Sequence, residues 1–257
     1  MKLSISNLSF TGFDYALMKQ LPDNLGLELF WEFGNPFYWE QVMRYLTDNR
    51  PLLELSVHGP SVGVNLASRS GTHYLSLYRQ AFQFAGKWQA RFLVAHTNEA
   101  FGGSPEEARR LVRSRLAELV LISRKEKIPL LIENVGVKRQ NTLLFDWPDY
   151  LDLLAALPQA GAIIDTGHAL LNNWDLPAVI RQLGGRIKAY HLHDNHGLYD
   201  EHLPAGEGQL DWKALFSAIQ AFSPDATLVL EYANTTLEAL LANMHSAVFR
   251  NVTPNRC

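Results

Sequence analysis

The chain has 257 residues, 47% of them hydrophobic, and a formal net charge of −3. That length suits one large domain, and two ordinary domains would be tight. The apolar fraction excludes a disordered chain, and the charge excludes the basic excess of a general polyanion binder. The single cysteine, Cys257, excludes an intramolecular disulfide and argues against a thiolate metal site. The opening MKLSISNLSF lacks the apolar core of a signal peptide, and no apolar run is long enough for a membrane helix. We therefore expect a cytoplasmic protein that does not enter a membrane.

Short apolar runs alternate with helical patterns along the whole chain. The eight runs, each with the Leu, Ile and Val content of a buried parallel strand, are Leu3–Ser6, Leu27–Trp31, Leu53–His58, Phe92–His96, Leu130–Asn134, Ala162–Asp165, Ile187–His193 and Thr227–Glu231. The clearest helical patterns are Tyr74–Trp88, Ser104–Glu126 and Trp212–Phe222, of which the second has Ser104 as a predicted N-cap. This alternation predicts βαβ units.

Eight such units predict an α/β protein of the closed (β/α)8 TIM barrel class. The competing architecture is an open doubly wound sheet, but no Gly-rich dinucleotide fingerprint follows the first predicted strand. We expect residues 1–252 to form a single barrel domain with outer helices. Residues 253–257 are polar and are expected to form a disordered tail.

The informative feature is the residue that ends each predicted strand. Six consecutive strands carry His, Asp or Glu at their C-terminal ends: His58, His96, Glu133, Asp165, His191 and Glu231. In a parallel barrel these ends open at one mouth. A lone strand-end histidine is more often hydrogen-bonded structure than a ligand, but clustered carboxylates repel one another, and a divalent ion is the simplest neutraliser. Imidazole with carboxylate suits zinc, manganese, iron or cobalt, so the pattern predicts a metal site.

Three more polar residues extend this set. His168 follows Asp165 by three residues, and Asp200 and His202 stand one residue apart on the loop after the seventh strand. Their spacing can direct two side chains at one centre, whereas the alternative for this loop is a solvated surface.

The motifs IENVG, IDTGH and HLHDN…DEHLPAGEG resemble the xylose isomerase-like barrel superfamily, over most of the chain from about Leu27 to Tyr232. That superfamily contains endonuclease IV and many isomerases and epimerases of sugars and sugar phosphates. The resemblance to the isomerase branch implies one metal held by Glu133, Asp165, His191 and Glu231, with the two glutamates also acting as acid and base. The resemblance to endonuclease IV implies three zinc ions held by nine ligands: His58, His96, Glu133, Asp165, His168, His191, Asp200, His202 and Glu231.

The sequence departs from endonuclease IV where that enzyme engages DNA. Its His-Ala-Pro-Tyr motif after the third strand is here His58-Gly59-Pro60-Ser61, without the tyrosine. The histidine of its first strand is missing, and its DNA-binding loop after the second strand is not recognisable. A nucleic acid is therefore not the expected partner.

The favoured hypothesis is an enzyme, a divalent-metal-dependent isomerase or epimerase of a sugar or sugar phosphate that works through a metal-stabilised enediolate. Glu133 and Glu231 are the predicted acid and base. The expected cofactor is one to three divalent ions, Zn or Mn, and the expected partner is a small-molecule carbohydrate substrate.

Four residues are candidates for substrate binding. His193 is expected to donate to a substrate hydroxyl, and Trp31 either stacks on a sugar face or packs at the rim. Lys138 and Arg139 either meet a phosphate group or lie in solvent.

Two alternatives stay open. One is multinuclear zinc hydrolysis of a phosphodiester, as in endonuclease IV, or of a small phosphate ester. The other is a metal-binding barrel without catalysis, although that alternative would be marked by the loss of Glu133 or Glu231, and both are present. The apolar positions Phe82, Phe84 and Trp88 on an outer helix belong either to the core or to an oligomer interface.

Overall fold

A computed structural model describes residues 2–10, 19–49 and 54–250. The predicted tail at residues 253–257 and Leu53, the first residue of the third predicted strand, lie outside those ranges. Eight strands lie within these ranges: β1 Lys2–Ser6, β2 Gly26–Phe30, β3 Leu55–His58, β4 Leu93–Ala95, β5 Leu130–Glu133, β6 Gly161–Asp165, β7 Ile187–Leu192 and β8 Thr227–Leu230. The described α-helices are α1 Pro36–Asn49, α2 Tyr74–Lys87, α3 Pro105–Glu126, α4 Trp147–Ala156, α5 Thr166–Leu171, α6 Leu176–Leu183, α7 Trp212–Phe222 and α8 Leu237–Met244.

The strands follow one another in the order β1 to β8 and close into a parallel barrel, which confirms the predicted (β/α)8 class. The chain divides into two compact units. We call residues 26–163 the central unit and residues 1–25 with 164–257 the terminal unit.

In the central unit, β2 to β6 form a continuous parallel ladder. Register pairs Phe30 with His58 between β2 and β3, and Glu133 with Ile163 between β5 and β6. The β5 residues from 130 to 132 are completely buried, because a parallel strand in a barrel is covered on both faces. Helix α3 begins as predicted, with the Ser104 side chain accepting a hydrogen bond from the backbone N–H of Glu107.

In the terminal unit, β8 pairs with β7 on one side and with β1 on the other. Register places Val229 opposite both His191 and Ser4. The carboxylate of Asp165, at the end of β6, is the N-cap of α5, and that of Asp211 is the N-cap of α7. Side-chain caps of this kind satisfy the first free N–H groups of a helix and fix where it starts.

The polar strand-end residues lie close to where the sequence predicts them. His58, Glu133 and Asp165 are the last residues of their strands, while His96 and Glu231 each follow the last strand residue by one position. Among the described helices, none combines the length and the apolar character needed to cross a membrane.

Candidate metal centre

The central unit gathers three of the predicted ligands around one carboxylate oxygen. Oε2 of Glu133 lies 3.2 Å from Nε2 of His96 and 3.6 Å from Nε2 of His58. The Glu133 and His58 side chains are 2% and 1% exposed. Two ligands of one tetrahedral zinc ion stand about 3.3 Å apart, given bonds of about 2.0 to 2.2 Å. The spacing of these three donors is therefore that of groups around a shared cation.

Hydrogen bonds on the opposite ring edges orient both imidazoles. Nδ1 of His58 lies 3.0 Å from the carbonyl oxygen of Gly59, and Nδ1 of His96 lies 2.6 Å from Oε1 of Glu99. A carbonyl or carboxylate oxygen only accepts, so each Nδ1 carries the hydrogen. In its neutral form, each ring presents the lone pair of Nε2 to Glu133, which is the arrangement of metal-ligating histidines.

The terminal unit contains the other six predicted ligands. Nε2 of His168 and Nε2 of His202 each lie 3.2 Å from Oδ2 of Asp200. Nδ1 of His191 lies 3.5 Å from Oε2 of Glu231. His202 repeats the orientation of the central unit, because its Nδ1 donates to the backbone carbonyl of Glu231 at 2.9 Å while Nε2 faces a carboxylate.

Asp165 stands at the centre of the terminal unit's cluster and is completely buried. Its Oδ1 accepts the backbone N–H of His168 at 2.6 Å, and its Oδ2 lies 2.9 Å from Nε2 of His193. Ligand atoms of Asp165, His193 and Glu231 all lie within 4.8 Å of one another, as do those of His193, Asp200 and His202. These two groups have the donor types that zinc, manganese and cobalt bind.

The electrostatics of the two clusters show opposed charges at short range. Burial lowers the pKa of His96, but the carboxylates of Glu133 and Glu99 outweigh burial and raise this pKa to about 10. Burial likewise lowers the pKa of His202, but the carboxylate of Asp200 outweighs burial and raises this pKa to about 9. His168 and His202 overcome the burial of Asp200 and hold its pKa far below the usual range. Without a metal, His96 and His202 take protons as the counter-charge that a divalent ion would supply.

Two buried side-chain atoms of the terminal unit give further support for a divalent ion. Nδ1 of His193 and Oδ1 of Asp200 are buried and form no hydrogen bond within the described residues. Buried polar atoms are nearly always satisfied, and these two are the kinds of atom that ligate metals.

The loop from 194 to 211 carries Asp200 and His202, and Asp194 fixes its shape. The buried Asp194 carboxylate accepts backbone hydrogen bonds from Asn195, Gly206 and Leu210, and a 2.7 Å bond from Nε1 of Trp212. Its backbone pairs with Leu203 in an antiparallel bridge. The loop is consequently held at its start, middle and end by one residue.

Of the four predicted substrate-binding residues, two are buried and two are exposed. Trp31 is only 6% exposed and packs against Phe84, which accords with the packing alternative. Lys138 and Arg139 lie on an exposed 3₁₀ turn, where Nζ of Lys138 is 3.9 Å from Asp146. His193 is completely buried against Asp165. Contact of any of them with a substrate stays a prediction.

Sequence reasoning missed the residues that orient the ligands. Glu99 stands three residues after His96, a spacing that could have suggested their contact, whereas Asp194 lies within the HLHDN motif but was given no role there. It also missed Tyr78 of α2, whose buried hydroxyl forms no hydrogen bond within the described part of the chain. Burial, together with nearby Glu32, Glu99 and Glu133, raises the pKa of this phenol.

Solved structures similar to this chain include an epimerase-like protein, an AP endonuclease and a protein soaked with zinc chloride. A D-tagatose 3-epimerase-like protein aligns with a TM-score of 0.81 at 22% identity, over 95% of this chain and 94% of the other. An AP endonuclease, family 2, from Brucella melitensis aligns with a TM-score of 0.76 at 17% identity, covering 95% and 98%. The TTHB071 protein from Thermus thermophilus, soaked with ZnCl2, aligns with a TM-score of 0.71 at 26% identity, covering 94% and 96%.

A family model described as xylose isomerase-like TIM barrel matches residues 11–249. This match spans nearly the whole chain and includes all nine predicted ligands. The expected resemblance is thereby confirmed, and the chain belongs to the xylose isomerase-like TIM barrel family.

Proposed function

We propose that the protein is a divalent-metal-dependent isomerase or epimerase of a sugar or sugar phosphate. The observation that carries the proposal is the pair of glutamates at strand ends, Glu133 and Glu231. Their side chains are 2% and 3% exposed, and each has the imidazole of a predicted ligand 3.2 to 3.6 Å from its carboxylate. Buried carboxylates with histidines at that distance combine metal ligation with proton transfer.

In this proposal Asp165, His191 and Glu231 of the terminal unit hold the ion, three of the four ligands that the family resemblance implies. When bound, the ion supplies a Lewis acid that polarises a substrate carbonyl and stabilises the negative charge of the enediolate. Zinc or manganese fits the oxygen and nitrogen donors, and zinc has the additional support of the structure soaked with ZnCl2.

The protein's own residues perform the proton transfer. One glutamate removes the proton next to the carbonyl, and the other returns a proton to the neighbouring carbon or to the other face. Which glutamate acts first depends on the substrate. Burial of both carboxylates keeps water away from the proton in transit, which suppresses side reactions of the enediolate.

Lys138 and Arg139 are the proposed contacts for a phosphate group, if the substrate has one. Both are exposed and close to the end of β5, which places them on the same connection as Glu133. A substrate without phosphate would leave them in solvent. Comparing a sugar with its phosphate ester on an Arg139→Ala variant therefore distinguishes the two substrate classes.

The proposal is tested by solvent proton exchange. The protein loaded with Zn²⁺ or Mn²⁺ is incubated in D₂O with a panel of ketoses and ketose phosphates, and deuterium incorporation is followed by NMR. Wild type should exchange a carbon-bound proton of at least one substrate, while Glu133→Gln and Glu231→Gln should not. Glu201→Gln is the matched control, because Glu201 pairs with His196 on the loop surface.

Metal content is measured on the same samples, because both glutamates are also proposed ligands. Exchange that continues unchanged in both Gln variants would overturn the assignment of acid and base. Hydrolysis of phosphate esters without any exchange would instead favour the phosphoesterase alternative.

A further inference from the structure

His193 is the one residue shared by both candidate ligand groups of the terminal unit. One group contains Asp165, His193 and Glu231, and the other contains His193, Asp200 and His202. Neither the strand-end pattern nor the family resemblance gives His193 a role in metal binding. Its side chain is completely buried, with Nε2 on the Asp165 side and Nδ1 on the Asp200 side.

The hydrogen bond to Asp165 determines which nitrogen carries the hydrogen. A carboxylate oxygen accepts, so the 2.9 Å contact requires Nε2–H of His193 to donate to Oδ2 of Asp165. The neutral ring then directs the lone pair of Nδ1 at Oδ1 of Asp200, 4.0 Å away. That separation is too long for a hydrogen bond, and neither atom has a hydrogen-bond partner among the described residues.

Two acceptors that face each other in a buried place are unfavourable. A divalent cation placed between them attracts both lone pairs at once. Oδ2 of the same Asp200 carboxylate already lies 3.2 Å from Nε2 of His168 and from Nε2 of His202. Nδ1 of His193 is one more potential metal-ligand atom, and it lies on the Oδ1 side of this carboxylate.

The surrounding chain provides space for this imidazole and fixes its orientation. A Cβ atom at position 167 would overlap the His193 ring, so the glycine of the IDTGH motif makes room for it. The Thr166 hydroxyl bonds to the backbone of residue 193. The ring of His202 stacks on His193 at 3.9 Å with an interplanar angle of 16°. Both rings therefore present their edges to Asp200.

We propose that Nδ1 of His193 is a ligand of a second divalent cation, which is also held by His168, Asp200 and His202. His193 thus ligates this ion with one nitrogen and hydrogen-bonds Asp165 with the other. The role replaces the expected donation to a substrate hydroxyl.

Four protein donors complete a tetrahedral shell, the pattern of a structural rather than a catalytic ion. The second cation then stabilises the loop from 194 to 211 and leaves substrate binding to the ion at Asp165, His191 and Glu231. The inference rests on the proposed function in one respect, because it takes the ion at Asp165, His191 and Glu231 as the catalytic one.

The test detects the bond between nitrogen and metal directly. Protein labelled with ¹⁵N-histidine is freed of metal, loaded with ¹¹³Cd²⁺, and examined for one-bond coupling between ¹⁵N and ¹¹³Cd. A coupled Nδ1 resonance that disappears in His193→Gln, while His168 and His202 keep their couplings, is the expected result. Gln can still donate to Asp165, and circular dichroism verifies the fold. His196→Gln is the matched control, because His196 lies on the same loop, is exposed and pairs with Glu201.

Cadmium couplings from His168 and His202 without one from position 193 would overturn the proposal. So would a protein that binds no cadmium at this cluster. Zn²⁺ competition should also show at least a roughly tenfold weaker second equivalent in His193→Gln than in His196→Gln. The coupling is independent of turnover. Coupling without isomerase activity removes only the proposed function, and activity without coupling removes only this inference.

Discussion

Nε1 of Trp212 donates a 2.7 Å hydrogen bond to Oδ2 of Asp194, and it does so across the full length of the loop that carries Asp200 and His202. The indole belongs to the first residue of α7, and the carboxylate follows β7 by two positions. Gly208 packs so tightly on this carboxylate that a Cβ there would overlap it. The ligand loop is thus anchored to the barrel through one buried acidic side chain.

Asp194→Asn should loosen this loop and weaken the cation held at Asp200 and His202. Replacing one carboxylate oxygen by an amide NH₂ leaves a buried N–H donor without an acceptor, at about 1 to 3 kcal/mol. We expect a lower free energy of unfolding and a weaker binding of the second zinc equivalent, measured by thermal unfolding and metal competition. Asp225→Asn, an exposed residue of the same unit, is the control and should change neither. Full zinc affinity in Asp194→Asn would show that the loop does not depend on this carboxylate.

Glu99→Gln should lower the affinity of the central unit for zinc by about 10 to 100 fold, the usual effect of removing the carboxylate that orients a metal-bound histidine. Glu99 accepts from Nδ1 of His96 and thereby directs Nε2 toward Glu133. Competition with a chelating dye measures the change. Glu106→Gln, an exposed residue at the start of α3 that pairs with Arg110, should bind zinc as wild type does. Equal affinities for the two variants would mean that His96 is not a ligand.

Gly167→Ala should destabilise the protein by about 1 to 3 kcal/mol, the usual result of forcing a methyl group into a filled core. The added Cβ would overlap the imidazole of His193. Urea unfolding measures the loss, and Gly185→Ala is the matched control because its Cβ would meet no atom within 4 Å. The ¹¹³Cd coupling to residue 193 should be lost in Gly167→Ala and retained in the control. A stable Gly167→Ala protein with unchanged coupling would contradict the packing argument.

Metal binding should release protons at pH 8. The carboxylates near His96 and His202 overcome burial and raise the pKa of these imidazoles to about 10 and about 9. Both rings are therefore protonated in the metal-free protein at pH 8, and ligation must displace about two protons. Calorimetry of Zn²⁺ binding in two buffers of different ionisation enthalpy gives the number released. Release near zero would be incompatible with ligation by these two histidines.

The same pKa shifts give the metal-free fold a pH dependence with a definite sign. A pKa that is raised in the folded state stabilises it fully below the unfolded value, near 6.5 for histidine. That contribution is lost as the pH rises through about 9 to 10. Metal-free protein should therefore lose stability progressively between about pH 6.5 and pH 10. A Zn²⁺-loaded sample should lose less over this range, because its ligands no longer hold those protons.

Much of the fold could be predicted because each strand is a short apolar run that ends in a polar residue. A barrel strand buried on both faces must be apolar along its length, and only its C-terminal end can carry a ligand. This regularity located Glu133 and Asp165 at the ends of β5 and β6. The start of α3 was equally predictable, since the Ser104 cap and Pro105 act locally in sequence.

The orienting residues were harder to predict because their contacts are set by tertiary packing. Asp194 lies within the HLHDN motif, yet its partners at Gly206, Leu210 and Trp212 lie 12 to 18 residues away. Trp31 looked equally suited to stacking on a sugar and to packing, and only the position of Phe84 shows that the ring is covered. Residue types gave the metal chemistry, but the spatial partners decide which atoms face the ion.

Metal content per chain is the most direct test of the account, measured by elemental analysis on protein purified without added metal and again after dialysis against Zn²⁺ or Mn²⁺. We predict at least one tightly bound divalent ion per chain in wild type, and a loss of one equivalent in Glu231→Gln but none in Glu201→Gln. A protein that contains no metal as purified and binds none from either solution would contradict the metal centre, and with it the proposed isomerase or epimerase chemistry.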